Sequence, residues 1–399
     1  MENEQEKNNT TYKLKVKKYL ELENVSFLTG AGTSFHLGCP TIRNIPNELK
    51  QDLQAEIENY FDNSATPSFE DFVNCLQADR YIQIKKGNDV EVKKIDDAIS
   101  KMQNWLFKEC DTETTSLQET YKNDEKLLLN RYFYHEAFIK KILQRPNNLK
   151  RANLFTTNYD MAFDYALDNL GVHYINGFMG VHNRCFRPEV YDYDLYYPGQ
   201  SVSGKVYRAE KVIKYYKIHG SLSWISTQPT VSNTYGIKEI PLNDKSKSDD
   251  NKELMIYPCV SKKSFTLDLP YSELFRQFSQ AINQPQSVLF CIGYSFNDEH
   301  INDIIKQALS IPSFTLIVAN YLPPNNNETQ EKNLLDELRN LDDKRIIILP
   351  EQDLDISTFT GFVTNILPDL YEEEEKEIIA ETMQKLYPSS SNTCEVENE

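Results

Sequence analysis

Cysteine pairs are missing from this chain. Its seven cysteines (Cys39, Cys75, Cys110, Cys185, Cys259, Cys291 and Cys394) are scattered over 399 residues, odd in number and never in a C-x-x-C pair. That excludes a disulfide framework and a zinc ribbon, and it predicts a reduced, cytoplasmic protein. Long apolar runs are missing too, and none approaches membrane-spanning length. The first eleven residues are polar and mixed in charge, with no apolar core or cleavage site, so no signal peptide is expected. Excess positive charge is absent: the formal net charge is −17. Nine acids and two lysines between Glu372 and Glu399 account for part of it, yet the remainder is still acidic. Broad binding to a nucleic-acid backbone is therefore not predicted. No internal repeat occurs.

What is present is ordinary for a soluble globular protein, with 40% hydrophobic and 26% charged residues, enough for one large domain or two modest ones. A lysine-rich helix is expected over Tyr12 to Leu22, within an N-terminal lead-in of residues 1–23. Val25 to Leu28 reads as a buried strand running into Gly30-Ala31-Gly32-Thr33-Ser34. A strand, a glycine turn and a helix start can present bare backbone N–H groups to a phosphate, and glycines there can take positive φ. A possible phosphate-reaching arginine, Arg43, follows in Cys39-Pro40-Thr41-Ile42-Arg43; it reads equally as a solvated loop residue.

From about residue 45 to 149 the pattern is helical, too long for one crossover, and predicts a helical subdomain inserted after the first strand. Ser68 stands three residues before Asp71 as in a capping box, and Phe69, Phe72, Val73 and Leu76 follow as an apolar helical stripe. Leu127, Phe138, Ile139, Ile142 and Leu143 mark a second helix ending near Pro146. Strands are then expected at 152–157, 172–175, 212–218, 287–292, 314–319 and 345–349, with a helix closed by Gly171 and another starting at Pro270. Residues 177–207 read as tyrosine-rich loops or a hairpin, and 243–253 as a charged, mobile linker. Strands alternating with helices predict an α/β fold, a Rossmann-like doubly wound parallel sheet, over residues 24–350. Residues 351–399 are expected to hold a C-terminal helix, with an apolar stripe at Ile379, Met383, Leu386 and Tyr387, and an acidic disordered tail.

In such a sheet, ligands bind at the carboxyl ends of the strands. Gly30 to Ser34, Asn158 to Asp160, His219 to Ser221, Gly293 to Ser295 and Asn320 each follow a predicted strand, so five polar or glycine clusters converge on one edge. Together these motifs resemble the sirtuin-like NAD-binding family: Gly30-Ala31-Gly32-Thr33-Ser34, Gly38-Cys39-Pro40-Thr41-Ile42-Arg43, Asn158-Tyr159-Asp160, His219-Gly220, Gly293-Tyr294-Ser295 and Asn320, in order over about residues 24–320. Two departures from the family's deacetylases stand out. The four-cysteine zinc ribbon is missing, and Phe-Thr-Thr-Asn-Tyr-Asp replaces Gln-Asn-Ile-Asp. With the helical insertion, these features look like the branch found in bacterial anti-phage defence, most like the unfused subunit that partners a HerA-type ATPase, commonly as a homo-oligomer.

The resemblance implies an NAD glycohydrolase that cleaves NAD to nicotinamide and ADP-ribose and depletes an infected cell. NAD would be its substrate, and no metal is predicted. It assigns Asn158 to orienting the nicotinamide ribose and the attacking water, Asp160 to the carboxamide, and His219 to accepting a proton. Gly30, Ala31, Gly32, Ser34 and Arg43 would hold the diphosphate side, and Gly293, Ser295 and Asn320 the adenosine half. Plainer roles stand beside these. Asn158 is a favoured helix N-cap, Asp160 suits a helix first turn, and His219 could be a structural histidine. Two other functions remain open: an NAD- or ADP-ribose-binding regulatory module of an ATPase complex, and a protein deacylase. His36, His135, His173 and His300 show no partner at ligand spacing, and His182 with Cys185 makes a poor zinc site. Tyr191 to Tyr197 either line the pocket or pack as aromatics.

Overall fold

The computed structural model describes residues 2–39, 45–62, 68–110, 117–122, 125–199, 206–242, 252–255, 270–322 and 334–371. Its centre is a seven-stranded sheet built from β1 (Asn24–Thr29), β2 (Asn153–Thr156), β3 (His173–Ile175), β4 (Val212–Lys217), β5 (Ser287–Ile292), β6 (Thr315–Ala319) and β7 (Ile346–Ile348). The spatial order is β7-β6-β5-β1-β2-β4-β3, and every neighbouring pair is parallel. The expected α/β doubly wound sheet is therefore observed.

Strands buried on both faces must be apolar on both, and these are. On one face Val25 and Phe27 of β1 join Val288 and Phe290 of β5 in a core with the helices Glu2–Leu20, Phe133–Leu143 and Ala162–Asn169. Phe27 stacks on Phe290 at 5.0 Å and meets Phe138 edge-on at 5.2 Å. Each fully buried ring of this kind contributes about 1.5–3 kcal/mol by burial. On the other face Leu28, Leu289 and Cys291 pack under the helices Tyr271–Ile282, Glu299–Leu309 and Leu334–Arg339.

The order of the strands matters more than their number. From β1 the chain lays β2 alongside, places β3 at the far edge and inserts β4 between them, then returns to lay β5 against the opposite side of β1. The carboxyl ends of β1 and β5 thus flank the point where the winding reverses, which is where open α/β sheets hold ligands.

Between β1 and β2 the inserted helices gather round a core of their own. Phe69, Phe72, Val73 and Leu76 are buried there with Ile95, Ala98 and Met102. Ser68 caps the Phe69–Lys86 helix, its Oγ accepting the Asp71 N–H at 3.0 Å. The insertion is not wholly helical. Leu127 belongs to a two-stranded hairpin, Leu117–Lys122 with Glu125–Asn130, and pairs with Thr120; the helix carrying Phe138 starts only at Phe133. Asn123 and Asp124 between the two runs are turn-forming types, a signal the apolar count outweighed.

A smaller antiparallel sheet has five strands, in the order Lys252–Met255, Gly220–Ser226, Ile237–Glu239, Arg184–Phe186 and Phe178–Met179, of which Gly220–Ser226 follows directly after β4. It includes the expected hairpin between residues 177 and 207. Residues 354–367 are not an appendage: Ile356, Phe359, Phe362, Val363, Ile366 and Leu367 complete the core that Val16 and Leu20 of the first helix enter. Of the linker expected over 243–253, residues 243–251 lie outside the described residues, as do the C-terminal helix and tail from residue 372. Lys252 and Glu253 belong to the strand Lys252–Met255, where pairing with Gly220–Ser226 overrides their polar composition. Among the described residues no helix is long and apolar enough to cross a membrane.

Candidate functional site

The turn after β1 is held against the turn after β5 by backbone alone. Gly30 donates its N–H to the Ile292 carbonyl at 3.1 Å, and Gly32 donates to Gly293 at 3.0 Å. A Cβ on Gly30 would stand 2.6 Å from the Gly293 oxygen, and one on Gly32 would stand 2.7 Å from the Gly293 Cα. The glycines are required because two main chains touch. Gly30 itself is extended, with φ −121° and ψ −168°. The expectation of bare N–H groups is corrected as well, since Thr33 and Ser34 donate theirs to the Gly30 and Ala31 carbonyls. Ala31 is exposed at the crest of the turn.

Beside this turn the chain leaves β2 and reaches Asn158, and the two segments are joined by side chains. The Asn158 amide nitrogen donates to Thr33 Oγ1 at 3.1 Å and to Ser34 Oγ at 3.0 Å. Ser34 Oγ in turn donates to Asp160 Oδ2 at 2.8 Å, while Asp160 Oδ1 accepts the Ala162 N–H at 3.0 Å. Asn158 therefore does not cap the following helix; Asp160 supplies that contact. Asn158, Asp160, Thr33 and Ser34 are all buried. Burial raises the Asp160 carboxyl above the ordinary carboxylate range, against the opposing pull of Lys217 and of its hydrogen bonds from Ala162 and Ser34.

Lys217, the last residue of β4, forms the floor. Its ammonium donates to the Asp160 carbonyl at 2.6 Å and the Tyr159 carbonyl at 3.3 Å, and it pairs with Asp164 at 3.0 Å. Tyr215 donates its hydroxyl to the same Asp164 carboxylate at 3.0 Å. The expected site did not include Lys217 or Thr33. A lysine inside the run Val-Ile-Lys-Tyr-Tyr-Lys-Ile was the signal available for the first.

His219 is placed by the change of sheet. Gly220, at φ +90°, turns the chain from the parallel strand into the antiparallel one, and the Ile218 and Leu222 N–H groups fix that corner on the Thr156 and Tyr159 carbonyls. The imidazole, 3% exposed as a residue, faces the loop after β5: its Nε2 lies 4.0 Å from Asp298 Oδ2, and its ring centre lies 5.8 Å from that of His300. That loop is bent at Phe296, a buried non-glycine residue at φ +60°, whose carbonyl accepts the Asn302 side chain at 2.7 Å. Such backbone costs on the order of 1–3 kcal/mol and gathers at functional sites. His300, for which the spacing predicted no partner, is thus brought to His219 through the fold.

Of the remaining expected residues, Gly293 is locked between Gly32 and the Ala319 carbonyl, to which its N–H donates at 2.9 Å. Ser295 is exposed and Asn320 partly so, both on the same sheet edge. Arg43 lies outside the described residues. Tyr191 is core: it stacks on Tyr216 at 4.2 Å and gives its hydroxyl to the Asn176 carbonyl. Tyr196 and Tyr197 stand exposed on a strand paired with Val206–Arg208.

Comparison with known proteins returns one result in favour and one blank. No curated protein matches the chain. Residues 152–342 match the family described as SIR2-like domain, a stretch that takes in Asn158, Asp160, His219, Gly293, Ser295 and Asn320 and begins after the Gly30–Ser34 turn. A SIR2-like domain, a type that binds or processes NAD, is therefore present in this chain.

Proposed function

We propose that this chain is an NAD glycohydrolase, cleaving NAD to nicotinamide and ADP-ribose. One observation carries the reading most: the Asn158–Ser34–Asp160 network sits at the reversal point of the sheet, with His219 on the adjoining strand end. Breaking the N-glycosidic bond expels a neutral leaving group from a ribose that becomes oxocarbenium-like. The catalyst has to hold the ribose, strain the bond and place a water.

Asn158 suits the positioning task, because its amide nitrogen is spent on Thr33 and Ser34 and its orientation is set by both. Its carbonyl oxygen is then the atom to meet a ribose hydroxyl or the water. Asp160 has both carboxylate oxygens engaged, so a direct contact with the carboxamide competes with Ser34. In our reading Asp160 positions Ser34 and Asn158. His219 takes a proton from the water or a ribose hydroxyl. Ala31 and Gly32, with Arg43, receive the diphosphate; Gly293, Ser295 and Asn320 border the adenosine half.

The biological role we attach to this reaction is NAD depletion in anti-phage defence (abortive infection), as an oligomer working with a HerA-type ATPase in the cytoplasm. A binding-only module that reports NAD or ADP-ribose to such an ATPase is the second reading. It is favoured by the way Asn158, Ser34 and Asp160 already satisfy one another. Incubating the protein with NAD, with and without the ATPase, and following nicotinamide by chromatography tests the proposal. Asn158→Ala should lower release on the order of 10²–10⁴-fold. No release from the assembled complex would reject the enzyme reading.

A further inference from the structure

The loop after β5 and the corner after β4 together hold more than one histidine needs. His219, Asp298 and His300 each aim one ligating atom at a common space, all within 4.8 Å of one another, and no other such trio occurs among the described residues. His219 and Asp298 are buried, and the Nε2 of His300 is shut off from solvent although the residue as a whole is only partly buried. Phe275 closes one side, edge-on to His300 at 4.4 Å and 89°.

Asp298 sets the geometry of the trio. It occupies the N-cap of the Glu299–Leu309 helix, where an aspartate commonly accepts a first-turn N–H, but its side chain makes no capping bond. The carboxylate faces His219 instead, at 4.0 Å, beyond hydrogen-bonding reach and near the spacing of two ligands on one ion. Ligand atoms about 2.1 Å from a metal are roughly 3.4 Å apart in a tetrahedral shell, so contraction by about 1 Å would close the set. The helix N-terminus carries roughly half a unit of positive charge, which opposes a cation, but Asp298 and Glu299 offset it locally.

We propose that His219, Asp298 and His300 form a binding site for a borderline divalent cation, Zn²⁺ in particular, with one coordination position left for solvent. Two neutral imidazoles and one carboxylate suit Zn²⁺ or Co²⁺ and give Mg²⁺ and Ca²⁺ too few oxygens. Occupancy engages the His219 nitrogen that faces Asp298. Resting on the NAD-cleaving reading above, the cation is then an inhibitor: a liganded His219 cannot accept a proton. The site differs from a cysteine ribbon in place, ligand type and consequence.

Binding is tested apart from activity. The chelator-treated full-length protein is titrated with Co²⁺ and watched for visible ligand-field absorption, then with Zn²⁺ by calorimetry. One ion per chain is expected, with affinity at least about tenfold weaker in His300→Gln and in Asp298→Asn, both checked for fold by circular dichroism. Absence of saturable binding, or equal binding by both folded variants, overturns the site. Zn²⁺ should also suppress nicotinamide release, reversibly with chelator, and less in His300→Gln. Binding without suppression would overturn the inhibitory role alone. A wild type that binds Co²⁺ but never cleaves NAD would leave the site standing and reject the reaction.

Discussion

The two halves of the candidate site are built on opposite plans. Around Gly30, Ser34, Asn158 and Asp160 every contact is closed: main chain touches main chain, and each side chain named there bonds to another at 2.8–3.1 Å. Around His219, Asp298 and His300 one ligating atom of each residue lies within 4.8 Å of the others, with His219 Nε2 4.0 Å from Asp298 Oδ2, close enough to share a ligand. The first half is a rigid frame. The second is spaced for something that binds or passes through. A site that positions a sugar with one wall and moves a proton with the other has use for both.

The comparison can be broken most severely at Gly293. Its φ of +60° and a Cβ position 2.8 Å from the Gly32 backbone leave no room for a side chain. Gly293→Val should cost more than about 4 kcal/mol and remove cooperative unfolding in a denaturant titration. A normal transition would show that the frame is softer than its contacts imply. The floor comes next. Lys217 and Asp164 are 3% and 5% exposed, so Lys217→Met strands a buried carboxylate and should destabilise by about 3–5 kcal/mol. Adding Asp164→Leu should return much of that loss, measurable in the same titration.

A second pair of histidines sharpens the contrast. His36, just past the glycine turn, stacks at 5.3 Å on His135, and both are enclosed by aromatic rings. Burial, helped by the Arg131 charge, lowers His36 to about 4, and burial followed by the charge of His36 lowers His135 well below the usual range. Below pH about 6.5 the unfolded chain takes up these protons before the folded one does. Stability is therefore full above that pH and should fall as it drops toward 4. The fall should be shallower in His135→Phe, by denaturation at several pH values.

Much of the frame could be read from residue order, because strand ends announce themselves locally. The apolar run Val25 to Leu28 stopping at glycine is one case, and the run into Asn158 is another. The helix at Phe69 was legible for the same reason, its stripe and its cap lying within a few residues. What escaped depended on partners distant in sequence. The glycine requirement at 30 and 32 comes from Gly293, and the relation of His300 to His219 exists only once β4 and β5 are in place. Leu127 was misassigned because three consecutive leucines are apolar on any period, and only its pairing with Thr120 decides for a strand.

The central claim is that this edge performs a reaction, and His219 is where reaction and binding part company. NAD affinity by calorimetry and nicotinamide release by chromatography should be measured on wild type and His219→Ala in the same assembled complex. The account predicts release at least about 10²-fold lower with affinity changed little. Release that persists in His219→Ala, or NAD bound by the wild type and never cleaved, would contradict it.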